Sequence, residues 1–78
     1  MARGPTPPYL RVAAGLRKRI RAGEWGPGEA LPSSTELAEQ YQTSTSTVGR
    51  AIKVLAAEGL VTSVQGWGVF IPEGDQAE

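Results

Sequence analysis

The chain has 78 residues, with eight basic and eight acidic side chains and no net charge, and it contains neither cysteine nor histidine. This length holds one small domain with one modest core. The missing residues exclude a disulfide framework, a thiolate metal site and the commonest general base and metal ligand, so no metal, no cofactor and no enzymatic activity are expected.

No apolar run approaches the length of a membrane span, and no signal peptide opens the chain, so no membrane partner and a cytoplasmic location are expected. Overall neutrality hides an asymmetry. All eight basic residues lie between Arg3 and Lys53, among only four acids, whereas residues 54–78 hold four acids and no base.

Residues 1–8, MARGPTPP, are proline-rich and without period, and read as a flexible arm. Pro8 also suits the first turn of a helix, where its missing N–H costs nothing. From Tyr9, the residues Val12, Ala13, Leu16 and Ile20 form one apolar stripe at helical period. Arg11, Arg17, Lys18, Arg19 and Arg21 occupy the other face, and Gly23 is a natural stop after Ala22. Residues 23–32, GEWGPGEALP, predict a turn-rich connection anchored by Trp25, with a very short strand at Ala30-Leu31.

Ser33-Ser34-Thr35-Glu36 fits a capping box that opens a short helix with Leu37, Ala38 and Tyr41 inward. Gln42-Thr43 break the pattern, and Ser44 is a second N-cap candidate. The third helix is predicted from about Thr45 to Glu58, with Val48, Ala51, Ile52 and Leu55 inward and Gly59 closing it. Leu60–Gln65 and Gly68–Pro72 read as a hairpin turning at Gly66-Trp67. The predicted fold is mainly α with a small β-hairpin (α+β), a winged helix-turn-helix of three helices plus a β-wing. Its expected limits are 9–72, with a disordered tail over 73–78.

Two helices joined by three or four residues cross steeply, so the second can enter the major groove while the first braces it. Val48 and Ala51 pack the second helix back. Thr45, Ser46, Thr47, Gly49, Arg50 and Lys53 then face outward, with Arg50 the best single candidate for a base or phosphate contact. Hydroxyls bond phosphates or base edges, and a threonine methyl can touch thymine. The same residues also fit a small three-helix domain whose exposed Ser and Thr merely cap helices.

The segments YLRVAAGLRKRIRAGEWGPGEALPSSTELAEQY, TSTSTVGRAIKVLAAEGLV and VQGWGVFI carry G-x-x-L-P-S, E-L-A, T-V-x-x-A, L-x-x-E-G-L-V and Q-G-x-G-x-F in that order. Over about residues 9 to 71 the chain resembles the DNA-binding domain of the GntR family of bacterial regulators. The resemblance implies binding of double-stranded operator DNA by a dimer, with helix 45–58 in the major groove and wing 60–71 near the minor groove. It extends the candidate DNA-binding set to Arg11, to Ser33, Ser34 and Thr35, to Ser44, and to Gln65, Gly66, Trp67 and Gly68.

Departures from the family pattern matter here. Thr35, Thr45 and Gly49 stand where the family often has arginines, and Trp67 where the wing often carries a basic or polar residue. An arginine–guanine pair discriminates by about 1–3 kcal/mol. Either the domain reads a different operator with hydroxyls, Arg50, Lys53 and the basic first helix, or the scaffold has turned to protein–protein interaction with weak or no sequence-specific DNA binding. Gly49 allows close backbone approach to DNA or marks a position no longer used. Trp67 can pack at the wing tip, fold on Phe70 or meet a partner chain, and Trp25 reads as core.

Family members usually carry a further C-terminal effector and dimerisation domain. This chain ends at Glu78, so it is expected to be a stand-alone domain without a small-molecule effector site, working through a homodimer or a partner protein. Val54 and the exposed side of the hairpin are the candidates for that contact.

Overall fold

Three amphipathic segments become three packed helices in the computed structural model, which describes residues 6–64 and 68–73. Helix α1 spans Pro8–Arg21, α2 Ser34–Gln40 and α3 Thr45–Ala57, followed by strands β1 (Thr62–Val64) and β2 (Gly68–Phe70). Pro8, read with the arm from sequence, is the first residue of α1. Residues 1–5 of the predicted arm lie outside the described residues, as do residues 74–78 of the predicted tail.

Each helix has a local reason to start where it does. Proline occupies the first position of α1, where no hydrogen bond is lost. At α2 the Ser33 hydroxyl accepts the Glu36 N–H at 3.1 Å while the Glu36 carboxylate accepts the Ser33 N–H at 3.2 Å, a reciprocal capping box. At α3 the Ser44 hydroxyl accepts the Thr47 N–H at 3.1 Å. Lys18, Arg19 and Arg21 fill the last turn of α1, where cations complement the helix dipole.

The connection between α2 and α3 is Tyr41–Ser44, short enough to force a steep crossing. It turns through Gln42, a non-glycine residue at φ +54°.

The core gathers one stripe from each helix. Val12, Ala13 and Leu16 of α1, Leu37 and Ala38 of α2, and Val48, Ala51, Ile52 and Leu55 of α3 are buried together with Leu31 and Val61. Burying each large aliphatic side chain contributes about 1.5–3 kcal/mol. Ile20, Trp25 and Tyr41 are half-buried and pack on this core. Val54, expected to be outside the core, is also half-buried against it, because α1 covers that flank of α3. Gly15 lets Tyr41 cross α1 closely, since a Cβ there would lie 3.0 Å from the Tyr41 ring and hydroxyl.

The hairpin is antiparallel, with Thr62 opposite Phe70, Ser63 opposite Val69 and Val64 opposite Gly68. Both strands are shorter than predicted, and the expected turn at Gly66-Trp67 lies outside the described residues. The predicted strand at Ala30-Leu31 is a single bridge from Ala30 to Phe70. Leu31 N–H donates to the Val69 carbonyl at 2.8 Å and Ile71 N–H to the Glu29 carbonyl at 2.9 Å, which tie the hairpin to the α1–α2 connection. Among the described residues no helix is long and apolar enough to cross a membrane.

Candidate nucleic-acid interface

Burial on one side of α3 fixes what its other side presents. At 3.6 residues per turn, Val48, Ala51, Ile52 and Leu55 share one stripe, and Ser46, Arg50 and Lys53 fall on the opposite one. All three are exposed. No acid occurs between Thr45 and Ala57, and among the described residues no acidic side chain pairs with Arg50 or Lys53. Arg50 is not loose, however: its guanidinium carbon lies 4.6 Å from the centroid of the Tyr9 ring.

The flank of α3 nearer the hairpin carries Thr45 and Gly49. Thr45 is exposed and opens the helix, while Gly49 is half-buried one turn later. Gly49 and Lys53 line a groove of about 280 Å³ with Ser34, Ser63 and Val69. A Cβ on Gly49 would have no described atom within 4 Å. Ser34 and Thr35 sit exposed in the first turn of α2, and Gly68 opens β2 on the far side of the groove. Gln65, Gly66 and Trp67 lie outside the described residues.

Three hydroxyls of the candidate set are engaged in capping. Ser33 closes the α2 capping box. Ser44 accepts the Thr47 N–H and donates its own O–H to Thr47 Oγ1 at 3.0 Å. Thr47, placed on the outward face from sequence, is half-buried and turned back toward this cap, because at 3.6 residues per turn its position lies about a quarter turn round the helix from the outward stripe.

The basic face of α1 divides in two. Arg17 makes a bidentate pair with Glu58 at 2.8 and 2.6 Å. Arg19 makes another with Glu24 at 2.9 and 2.7 Å, also donates to Gln40 and the Tyr41 hydroxyl, and stacks on Trp25 at 4.7 Å. These hydrogen bonds raise both guanidinium pKa values and hold the Glu24 and Glu58 carboxyls below the usual carboxylate range. Arg17 and Arg19 thus serve the fold, and only part of the basic first helix lies outside these ion pairs. Arg11 does remain: it is exposed beside a hollow of about 450 Å³ between the start of α1 and the α2–α3 turn.

The resulting arrangement is a protruding helix with Arg50 and Lys53 outermost, Arg11 to one side and a hairpin to the other. Tyr9 is the member that the sequence did not reveal, since 41 positions separate it from Arg50 and no local spacing links them. Among the described residues there is no cluster of three or more acidic residues placed to hold a metal ion.

This geometry has known counterparts. The family model of bacterial regulatory proteins, gntR family, matches residues 8–71. The histidine utilization repressor of Pseudomonas putida is 38% identical over 73 residues, covering 94% of this chain and 29% of its own length. The transcriptional repressor NagR of Bacillus subtilis is 39% identical over 75 residues, 94% of this chain and 31% of its own. The chain therefore spans about a third of the curated relatives it matches. Among solved structures, the AraR DNA-binding domain in complex with operator ORX1 superposes with a TM-score of 0.81 at 33% identity, over 91% of this chain and 92% of that one. The three helices and hairpin are the winged helix of that domain.

Proposed function

Because the chain belongs to the gntR family of bacterial regulatory proteins, we propose that it is the DNA-binding domain of a transcriptional regulator that acts as a repressor on operator DNA. Helix α3 enters the major groove, whose width of about 12 Å admits a helix, and the hairpin lies beside the minor groove. The observation that carries this reading is the exposed stripe of Ser46, Arg50 and Lys53, free of acidic partners among the described residues and directly opposite the buried stripe. Two copies on a two-fold symmetric site supply the affinity that one half-site lacks. The domain works in the cytoplasm, is not an enzyme, and holds neither a cofactor nor a small-molecule effector site.

Selection of bound duplexes from a random library, followed by anisotropy at two salt concentrations, tests it. Arg11, Arg50 and Lys53 each neutralising one phosphate give a salt slope of about −2.7 per domain. A two-fold symmetric motif with a salt slope of at least this size supports the reading, and no enrichment with feeble binding refutes it. Arg50→Glu with Lys53→Glu should abolish binding.

A second reading, a protein-interaction module, is favoured by one feature of the hairpin. Val64 is 40% exposed on a face it shares with Thr62 and Phe70. Under that reading the double charge reversal leaves partner binding intact.

A further inference from the structure

Arg17 and Arg19 spend their N–H donors on carboxylates, whereas the Arg50 guanidinium carbon lies over the Tyr9 ring, 4.6 Å from its centroid, with no acidic partner among the described residues. A guanidinium carries five N–H donors, so a cation held over a ring keeps its place while most of those donors stay available. The platform itself is firm, because Tyr9 is half-buried and packed on the core in the first turn of α1. An unrestrained arginine loses much rotamer freedom on binding, and one already stacked has less to lose. The stack also sets direction. It draws Arg50 off α3 toward α1, hence toward the rim of any groove that α3 fills. Phosphates run along that rim, and base edges lie on the floor.

Resting on the DNA-binding reading above, we infer that Tyr9 is a positioning residue that holds the Arg50 guanidinium for a backbone phosphate at the edge of the major groove. The contact is independent of base sequence. It anchors the domain in a chain where Thr35, Thr45 and Gly49 offer no cationic side chain for the backbone.

Anisotropy titrations with two duplexes of equal length test this, one carrying the sequence enriched from the random library and one scrambled. Tyr9→Leu should weaken binding to both duplexes by about two- to five-fold, the loss of one exposed cation–π contact. Tyr9→Phe keeps the ring and should bind like the parent. Arg50→Ala should weaken binding further and reduce the salt slope by about one. In the Arg50→Ala background, Tyr9→Leu should have no further effect.

Three results overturn the inference: parental affinity for Tyr9→Leu, an equal loss in the Arg50→Ala background, or a loss confined to the enriched duplex. If Tyr9→Leu does not fold, Arg50→Lys keeps the charge without the guanidinium over the ring. It should then show the two- to five-fold loss on both duplexes with an unchanged salt slope, and full affinity for that variant overturns the inference. A parent protein that binds neither duplex refutes the DNA-binding reading itself, a result distinct from all of these.

Discussion

Replacing Gly49 by alanine should stabilise the protein. Gly49 is an interior residue of α3 with a negative φ, and a Cβ there has no described atom within 4 Å. Neither a left-handed backbone nor a close neighbour requires glycine at this position. Glycine in a helix interior costs about 0.8–1.0 kcal/mol relative to alanine, much of it through the greater freedom of the unfolded chain. The methyl group enters an open groove, so burial adds little, and the expected gain is about 0.5–1 kcal/mol. For a domain of this size that raises Tm by about 2–8 °C.

Gly15→Ala is the internal control. It carries the same propensity gain, but its Cβ would stand 3.0 Å from the Tyr41 ring and hydroxyl, and that hydroxyl is held by Arg19. Overpacking of this kind costs about 1–3 kcal/mol, so Tm should fall or stay level. Thermal unfolding followed by far-UV circular dichroism compares the two variants directly. No rise for Gly49→Ala, or an equal rise for Gly15→Ala, would refute the reasoning. The DNA affinity of stabilised Gly49→Ala then separates the two roles open to this glycine: a drop means the backbone approaches DNA closely, and no change means the position is unused.

Other perturbations read different parts of the fold. Gln42→Val places a β-branched residue at φ +54°, where the left-handed region disfavours it, and should lower stability by about 1–2 kcal/mol in urea denaturation, while Gln42→Gly should not. Leu16 has no exposed surface, so Leu16→Ala should cost about 2–5 kcal/mol and shift the urea midpoint by a large part of the whole stability. Glu58 and Glu24 have folded pKa values below their unfolded ones, held there by hydrogen bonds from Arg17 and Arg19. Their stabilisation is complete above the ordinary carboxylate range and is lost as pH falls through the depressed folded values. The urea midpoint should decline across that acid window, and Glu58→Gln should lower it at neutral pH and flatten the decline.

Features determined by near neighbours in the chain were legible from the sequence. The capping box needs only Ser33 and Glu36, the second cap only Ser44 and Thr47, and the buried stripes only a period of 3.6. The outward positions of Ser46, Arg50 and Lys53 follow from the same period. What sequence could not reveal was which outward side chains meet across helices. Arg17 finds Glu58, Arg50 finds Tyr9 and Arg19 finds Tyr41 because the core sets α1 alongside α3 and over the end of α2. Val54 was misplaced for the same reason: its periodicity puts it at the margin of the buried stripe, and only the position of α1 decides that it is covered. Thr47 shows the limit within one helix, since an edge position can face a groove or turn back to a cap, and here Ser44 takes it.

Net charge is a poor guide to this surface, and the ion pairs explain how. Eight cations and eight anions suggest a surface indifferent to a polyanion. A phosphate at the surface responds to charges within a Debye length, about 8 Å at physiological ionic strength, and not to the sum over the chain. The two bidentate pairs tie Arg17 and Arg19 to Glu58 and Glu24, which leaves neutrality unchanged but has two cations and two anions answer one another at the surface. On α3 the remaining charges are Arg50 and Lys53 alone. A neutral chain can therefore carry a locally positive helix. Its binding should weaken with salt according to the few phosphates those side chains reach, not according to the protein's total charge.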